Sequence, residues 1–474
     1  MQKNNIGKVK SYHYLIIVFF LFCNHFISAQ SNNWTLQQCV DTALKNNLTI
    51  QQSANAVESN KINLFQSKSN QLPTLNGSVG QSYSSSNKTG TWGNNLSVNS
   101  SVTLFNGFQN KNTIKQNQVD LEVSKYDLEA QKNTIVLNVV DAYLQILYAE
   151  ELVKNDKAQV DAIQLQLDEI EQFVNVGKKS ESDLLEVKSE LASEKLTYIN
   201  AEGQLKTAKL TLQQIMNVRS LKTFDIEYPL ITEPDTIGIS DVDDIYNLAL
   251  TQQPVIKSYQ LKTQSSVYNL KIAKGAIYPR LSLSGNIGTN YSSSIKNTET
   301  TYMDNIQNIG YLQSDPSEIV LGNVSTPVYK YTNYAFGDQF KDNFSKSLSL
   351  SLSIPIYSNR QVKNNINKQE ITLKNTFLEE QSAKNDLRKG IEQTYIDVEN
   401  AIAKYNATKE QVNASMTSYE NAKTKYVNGM MSMSDLLQQL NTYTKAQSEN
   451  IQARYDLIYN LKILDYYKGV PLTF

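Results

Sequence analysis

Two long stretches of this chain contain no proline, and that constrains its fold more than any other feature of the sequence. The first lies between Pro73 and Pro229 and the second between Pro355 and Pro471, and they contain 155 and 115 residues. Proline inside a helix removes a backbone hydrogen bond and clashes with the preceding turn, so a stretch without it can remain helical over many turns. Both stretches are therefore predicted to be mostly helical.

The two stretches are copies of one another. The segment 177–185 aligns with the segment 429–437 at an offset of 252 residues, and both begin with Gly and end with Asp-Leu-Leu. Further upstream, the pairs 72–73 and 278–279 align at an offset of 206 residues. The difference is an insertion of 46 residues in the second copy, within 288–344. Duplication on this scale predicts two repeats of the same architecture.

Each repeat is predicted to contain a short helix, a β-hairpin and a long helical hairpin, in that order. The hairpin turns are expected near Gly177 and Gly429, which lie in polar surroundings within the two helical stretches. The predicted boundaries are 30–220 for the first repeat (β-hairpin 74–105, helical hairpin 108–218), 221–240 for a linker in the equatorial region, and 241–474 for the second repeat (β-hairpin 281–356, helical hairpin 360–468).

Apolar residues recur about every seven positions along the helical stretches. Such spacing keeps one stripe of each helix against a partner helix and produces a left-handed coiled coil. With a rise of about 1.5 Å per residue, a helix over 109–175 would reach roughly 100 Å, which suits a tunnel, stalk or spacer. The positions with this spacing are Ile114, Leu121, Leu128 and Ile135, then Leu184, Leu191, Tyr198, Leu205 and Leu212, and in the second repeat Leu436, Tyr443, Asn450, Leu457 and Leu464.

Between the short helix and the long hairpin of each repeat, the apolar period changes to two. In the segment 347–356, serine and apolar residues alternate, and the segments 75–79, 96–104 and 281–287 alternate less regularly. This pattern is typical of strands with one apolar and one polar face, in a membrane barrel or in a soluble sandwich. We favour the membrane barrel, because serine at every polar-face position suits a narrow wet lumen.

Four such strands cannot close a barrel by themselves. A lipid-facing sheet has no open edge, and the smallest barrels have about eight strands. The barrel is therefore predicted to be shared between chains, and three copies would contribute twelve strands above an α-helical barrel. The insertion 288–344 is then expected to be a long extracellular loop, since outer-membrane barrels place their long loops outside the cell.

The first 29 residues are predicted to be a secretory signal peptide. They contain Lys3, Lys8 and Lys10, then an apolar run, and they end in the small residue Ala29. Lipidation at Cys23 is an alternative, although a bulky phenylalanine precedes that cysteine where a small residue is normally needed.

The residues after this segment contain no histidine and one cysteine, Cys39. A His-based zinc site, a Ser-His or Cys-His nucleophile pair and an intrachain disulfide are therefore excluded. We predict no catalytic, metal-binding or cofactor-binding residue. With 45 basic and 46 acidic residues, the chain has a formal net charge of −1, which argues against a nucleic-acid partner.

These features together resemble the trimeric outer-membrane channel proteins of the TolC type, the outer-membrane efflux proteins. The resemblance covers nearly the whole chain after the signal peptide and rests on the opening segment 34–48, on the pairs 72–73 and 278–279 that lead into strands, on the segment 104–107 that leaves them, and on the paired Gly-x5-Asp-Leu turns. It implies a homotrimer whose β-barrel crosses the outer membrane, in contact with its lipid, and whose helical barrel extends into the periplasm. It also implies a passive exit duct of a tripartite efflux pump or a type I secretion system, docked to a periplasmic adaptor and an inner-membrane transporter.

The resemblance further implies a gate at the periplasmic tips of the hairpins. Asp435 matches the first of two lumen-facing aspartates of the family, whereas Gln438 occupies the position of the second. Tyr426 and Asp183 match positions that tie neighbouring helices together in the closed state. The basic partner of that latch is replaced by Met431, so the latch is expected to be incomplete.

Simpler roles compete with these assignments. Asp183 and Asp435 each lie six residues after a turn glycine, where a carboxylate commonly caps a helix. Leu184 and Leu436 fit hairpin packing, and an adaptor tip could share their groove beside the Gly177 and Gly429 turns. Tyr426 fits simple core packing nearly as well as a latch.

One alternative to the channel is a periplasmic coiled-coil adaptor or scaffold without a pore. Such a protein also has long helical hairpins, but it needs neither four alternating Leu-Ser strands nor a twofold duplication. An enzyme has little support, because no paired carboxylates stand out beyond the solvated helix faces. The transported cargo is not indicated by any motif.

Overall fold

The computed structural model describes residues 33–86, 89–219, 224–229 and 241–470. The predicted signal peptide with Cys23, and most of the predicted linker 221–240, lie outside these ranges. No helix in the described ranges has an apolar stretch long enough to cross a membrane. The chain forms two compact units, one drawn from residues 1–59, 122–261 and 377–474 and the other from residues 60–121 and 262–376.

Most of the described residues are helical. Both long hairpins consist of a helix of 67 residues followed by one of 35 residues, so the two repeats match in helix length. The helices are α1 (Leu36–Asn46), α2 (Leu48–Ser69), α3 (Gln109–Asn175), α4 (Glu181–Ile215), α5 (Val242–Gln252), α6 (Pro254–Gly275), α7 (Phe336–Asp342), α8 (Gln361–Val427) and α9 (Met433–Tyr467).

The single short helix predicted at the start of each repeat is two helices in the structure. The break falls at Asn47 in the first repeat and at Gln253 in the second, and both residues have extended backbone. Asn47 caps the next helix, since its side-chain oxygen accepts a hydrogen bond from the Thr49 backbone N–H at 2.9 Å. Gln253 precedes Pro254, and the residue before a proline disfavours helical backbone.

The seven-residue spacing corresponds to the buried stripe of the long helices. Every position predicted from that spacing is buried or half-buried. Most of the buried apolar residues described in the first unit belong to three clusters. One surrounds α1 and the middle of α3, a second lies near the Gly177 and Gly429 turns, and a third joins α5 to α8 and α9.

The second unit contains an antiparallel four-stranded sheet in the order β2-β3-β5-β8. Both of its edges, at β2 and β8, lack a neighbouring strand among the described residues. Two short strands, β1 and β4, pair in parallel elsewhere, and β6 pairs with β7. The strands are β1 (Asn33–Trp34), β2 (Thr74–Ser86), β3 (Thr89–Asn106), β4 (Asp225–Ile226), β5 (Arg280–Ser292), β6 (Lys296–Leu312), β7 (Asp315–Asn333) and β8 (Ser345–Ser353).

The pairing register gives the sheet two different faces. Residues directly opposite each other share a face, so the rows of paired residues define it. One face has the apolar rows, for example Val102-Leu283-Leu350, and its leucines and valines are exposed on the edge strands β2 and β8 and exposed or half-buried on the central strands. The other has rows of serine, threonine and asparagine, and these residues bond across strands. The clearest such rows are Thr74-Ser101-Ser284-Ser349 and Asn76-Asn99-Asn286-Ser347.

The insertion, expected as a loop, forms regular structure. β6 and β7 form a long two-stranded hairpin, and α7 packs on β5. The buried Gln339 side chain fixes α7, because it accepts a hydrogen bond from the Ser292 N–H at 3.0 Å and donates one to the Ser292 carbonyl at 3.1 Å. Pro327 lies inside β7, which is possible because β7 is an edge strand. Because of that proline and the mixed polarity of both strands, the sequence does not show the alternation that would predict this hairpin.

Candidate functional site at the hairpin tips

The turn at Gly177 ends α3 through a pair of backbone hydrogen bonds. Gly177 has a φ of +69°, its N–H donates to the Val174 carbonyl at 2.9 Å, and the Lys178 N–H donates to the Phe173 carbonyl at 2.7 Å. This Schellman arrangement satisfies the last helix carbonyls and needs a left-handed residue, which is normally glycine. Gly429 ends α8 in the same way, with a φ of +70° and equivalent bonds of 3.0 and 2.9 Å.

The next helix of each hairpin begins with a serine cap. The Asp183 N–H donates to the Ser180 hydroxyl at 3.1 Å, and the Ser180 N–H donates to the Asp183 carboxylate at 3.3 Å, which is a reciprocal capping box. The Asp435 N–H donates to the Ser432 hydroxyl at 3.1 Å, and that hydroxyl donates to the Asp435 carboxylate at 2.7 Å. The Asp183 carboxylate therefore takes part in capping α4, whereas the Asp435 carboxylate bonds to the capping hydroxyl of Ser432 and to no backbone N–H of that cap. Asp183 is half-buried and Asp435 is exposed.

The two tips share one apolar core, which we call the tip core. It draws buried residues from all four long helices, so each hairpin end packs against the other. Among the predicted site residues, Leu436 and Tyr426 are buried in it, while Leu184 and Met431 pack at its margin. Its buried members are Ile163, Leu167, Ile170, Val187, Leu191, Ala422, Tyr426, Met433, Leu436, Leu437 and Leu440.

Tyr426 is a buried residue of the predicted site, and its pKa is raised. Its side chain is 8% exposed, and its hydroxyl has no hydrogen-bond partner in the described part of the chain. Burial, and then the negative charges of Asp183, Glu169 and Glu186, raise the pKa of Tyr426 to about 12. Within one chain, the charge of Asp183 acts on Tyr426, and no hydrogen bond joins the two side chains.

A basic residue does approach Tyr426, but it comes from the other hairpin. The Lys179 ammonium lies 3.8 Å from the centroid of the Tyr426 ring, within cation–π range. Sequence reasoning placed the missing basic partner at Met431 and did not find Lys179. The only available signal was the Lys178-Lys179 pair after the first turn glycine, and it does not specify which aromatic ring the lysine contacts.

Two clefts adjoin the tip core. One, of about 740 Å³, lies between the ends of α3 and α8, and Leu436 lies in its wall together with Tyr426, Lys178, Lys179 and Lys423. The other, of about 570 Å³, lies between α4 and α9 and is lined by the exposed Gln438. The first cleft can accommodate an apolar side chain with an acidic group beside it. The sequence indicated neither its lysines nor its volume.

Comparison with known proteins identifies the family. The family model described as "Outer membrane efflux protein" matches residues 39–218 and 245–467, which is most of the chain. This chain belongs to that family. Its members are outer-membrane transport channels and not enzymes, and they extend into the periplasm. The resemblance seen in the sequence and the predicted location in the outer membrane are thereby confirmed, and the adaptor alternative loses its support.

The relatives of this efflux protein are distant in sequence. It is 21% identical to the outer membrane protein TolC of Escherichia coli over an alignment of 394 residues. That alignment covers 77% of this chain and 72% of TolC. It is 22% identical over 227 residues to the toxin and drug export protein A of Aggregatibacter actinomycetemcomitans, which covers 46% of this chain. That match spans 48% of the relative, so it includes only about half of that protein.

The fold of this efflux protein also matches solved channels. The CmeC outer membrane channel of Campylobacter jejuni superposes with a TM-score of 0.71 over 93% of this chain and 86% of CmeC, at 19% identity. The predicted fold class, long helical hairpins with a smaller β part in a duplicated chain, is therefore confirmed.

Proposed function

We propose that this efflux protein forms a homotrimer that acts as a passive exit duct through the outer membrane. Three copies of the sheet β2-β3-β5-β8 would make a twelve-stranded barrel in contact with lipid, above a barrel made by the helical hairpins. The duct would belong to a tripartite efflux pump or a type I secretion system. A periplasmic adaptor and an inner-membrane transporter would be its partners, and the transporter would supply the energy.

The observation that carries this proposal is the four-stranded sheet. Its apolar face is exposed, with Val79 at 83% and Leu348 at 78%, which a water-facing sheet does not tolerate but a lipid-facing sheet requires. Both of its edges are unpaired among the described residues, and unpaired backbone is excluded from the hydrocarbon region. Another copy of the chain can satisfy those edges.

The strand directions also suit closure between copies. Neighbouring strands are antiparallel throughout β2-β3-β5-β8, and the sheet has an even number of strands. The two edge strands therefore run in opposite directions. β8 of one copy can consequently pair with β2 of the next as another antiparallel neighbour, and repeating this step leaves no free edge.

The gate would lie at the tips, and this part of the proposal concerns Asp183, Asp435, Gln438, Tyr426 and Met431. Asp435 and Gln438 are exposed on α9, so both are free to face a lumen. A trimer would then present three Asp435 carboxylates, with neutral Gln438 one turn away. The Tyr426 hydroxyl, without a partner among the described residues of its own chain, is available to bond with a neighbouring copy on closure.

The adaptor would dock beside the turns at Gly177 and Gly429. Leu436 and Tyr426 contribute to the wall of the 740 Å³ cleft there, and Leu184 is half-buried at the margin of the tip core. These leucines would shape an apolar groove for an inserted helix tip, while the exposed glycine turns would permit close backbone approach.

Cross-linking between copies tests the proposal. Cys39 is completely buried, so engineered cysteines can be read without interference. Asn76→Cys on β2 would be combined with Ser345→Cys, Ser347→Cys or Ser349→Cys on β8, to sample neighbouring registers. We expect one combination to give a disulfide-linked trimer in outer-membrane fractions. Asn99→Cys on the central strand β3, combined with the same β8 cysteines, is the matched control and should give no linked trimer.

Planar bilayers provide the functional readout. The purified protein should give a small, mostly closed conductance that rises when Asp183 and Tyr426 are substituted. A monomer that is released by osmotic shock and conducts no ions would contradict the proposal.

A further inference from the structure

The four-stranded sheet is almost free of charge. Apart from tyrosine, its described residues include two ionisable side chains, Arg280 on β5 and Lys346 on β8. Both are basic, and no acidic residue lies on these strands. Their effect on a solute therefore depends on which face of the sheet each occupies.

Arg280 lies on the polar face. It pairs with Ser353 on β8, and it precedes Ser282 by two residues, the spacing that keeps side chains on one face. One guanidinium nitrogen of Arg280, Nη2, donates to the Thr103 hydroxyl at 3.2 Å, and Thr103 pairs with Ser282. The guanidinium is thus held at the end of the serine rows.

Lys346 lies on the opposite face. It pairs with Ile287, which in turn pairs with Val98, so its row is apolar. Its ammonium lies 5.3 Å from the centroid of the Phe344 ring. Lys346 thus has the same charge as Arg280 in the same sheet but on the face that would contact lipid.

The charge of Arg280 is not compensated. The side chain is exposed and forms no ion pair with any described residue. A guanidinium remains protonated at every accessible pH, and its fork of donors suits carboxylate and phosphate groups. The polar face therefore presents one permanent positive charge among neutral serine, threonine and asparagine side chains.

We infer that Arg280 gives the sheet-lined part of the duct a preference for anions, and so for cargo that carries carboxylate or phosphate groups. The inference rests on the proposed function, because the polar face lines a lumen only in the shared barrel. Three copies would place three guanidinium groups in a ring, and rings of arginine or lysine are how pores select anions. The low-dielectric wall of a barrel strengthens the field inside it.

Reversal potentials under a potassium chloride gradient test this inference. The full protein, Arg280→Gln and Lys346→Gln would be compared in planar bilayers. We expect Arg280→Gln to lower the chloride-to-potassium permeability ratio by about twofold or more, and Lys346→Gln to leave it unchanged. Arg280→Lys should retain the preference. The difference should fade near 1 M salt, where the screening length falls to about 3 Å.

The outcomes separate the two proposals. Channels whose permeability ratio is the same in Arg280→Gln and in the unmodified protein would overturn the role of Arg280 and leave the duct intact. An equal change in Lys346→Gln would also overturn it, because the charge would then not act from the lumen. Absence of conductance from all variants, together with absence of linked trimers, would overturn the duct itself. All variants retain Asp435, so any tip contribution cancels in the comparison.

Discussion

The two hairpin tips of this efflux protein have the same backbone but different side chains. Each turn has a left-handed glycine, a serine cap three residues later and an aspartate six residues later. Between these shared positions, the first turn has Lys178, Lys179 and Glu181, and the second has three methionines, Met430, Met431 and Met433. The duplication thus preserved the residues that shape the turn and changed those between them.

The changed residues give the tips different environments. Glu181 is exposed, whereas Met433 at the equivalent position is 1% exposed in the tip core. Similarly, Val174 of the first hairpin corresponds to Tyr426 of the second. The second turn therefore contributes apolar side chains to the tip core, whereas the first turn has charged side chains at its margin. Turn geometry is thus a local property, whereas the contribution of each tip to the core depends on the side chains at the positions where the two copies differ.

The largest expected effect concerns the paired leucines. Leu436 is 3% exposed, whereas the equivalent Leu184 is half-buried. Leu436→Ala should therefore lower the free energy of unfolding by about 2–5 kcal/mol, and Leu184→Ala should lower it clearly less. Hydrogen exchange of the tip amides in the detergent-solubilised protein measures the local opening free energy. Equal losses in the two variants would mean that the tips contribute equally to the core.

The next largest effect is the dependence of stability on pH at Tyr426. The pKa of Tyr426 is raised to about 12 by burial, above the usual value of about 10. The buried neutral phenol therefore stabilises the fold fully below about pH 10, and this contribution, of roughly 2 kcal/mol at most, is lost as the pH rises towards 12. Chemical denaturation at about pH 9 and about pH 11.5 should show this loss in the unmodified protein, and less of it in Tyr426→Phe. If both proteins have the same pH dependence, Tyr426 does not titrate with unfolding of the tip.

The helix caps should instead behave alike. Ser180→Ala and Ser432→Ala should each cost about 1 kcal/mol, because each removes one hydroxyl that accepts a backbone N–H. Hydrogen exchange in the first turns of α4 and α9 measures the loss. Ser182→Ala and Ser434→Ala, at exposed equivalent positions, are the matched controls and should cost little. A clear difference between the two cap variants would show that the two serine caps do not stabilise their helices equally.

The smallest effect concerns block of the proposed gate. Asp435→Asn keeps the size of the side chain and removes its charge, and it should weaken block by a trivalent cation by about threefold. Asp183→Asn should have a smaller effect, because Asp183 is half-buried beside its cap. Dose–response curves in planar bilayers measure both. Unaltered block in Asp435→Asn would leave Asp435 only with its hydrogen bond to the capping Ser432 hydroxyl.

Much of the fold could be predicted because its signals are local and repeated. The proline-free stretches predicted where the long helices lie, because proline breaks a helix. The turn glycines predicted where those helices end, because glycine readily adopts the left-handed backbone at a helix C-terminus. The alternation of serine and leucine defined the two faces of the sheet, since side chains alternate along a strand. The insertion escaped prediction because Pro327 and the mixed polarity of β6 and β7 hide the same alternation.

At the tips, the sequence by itself determined where the helices end and that Asp183 and Asp435 occupy equivalent positions. Only the tertiary structure decided that Lys179 contacts Tyr426, that Met433 and not Glu181 enters the tip core, and that Arg280 and Lys346 occupy opposite faces of one sheet. The physical reason is the separation along the sequence between the residues that interact. Caps and turns are satisfied by neighbours within a few residues, whereas these contacts join segments more than 50 residues apart, and their partners are set by packing and register.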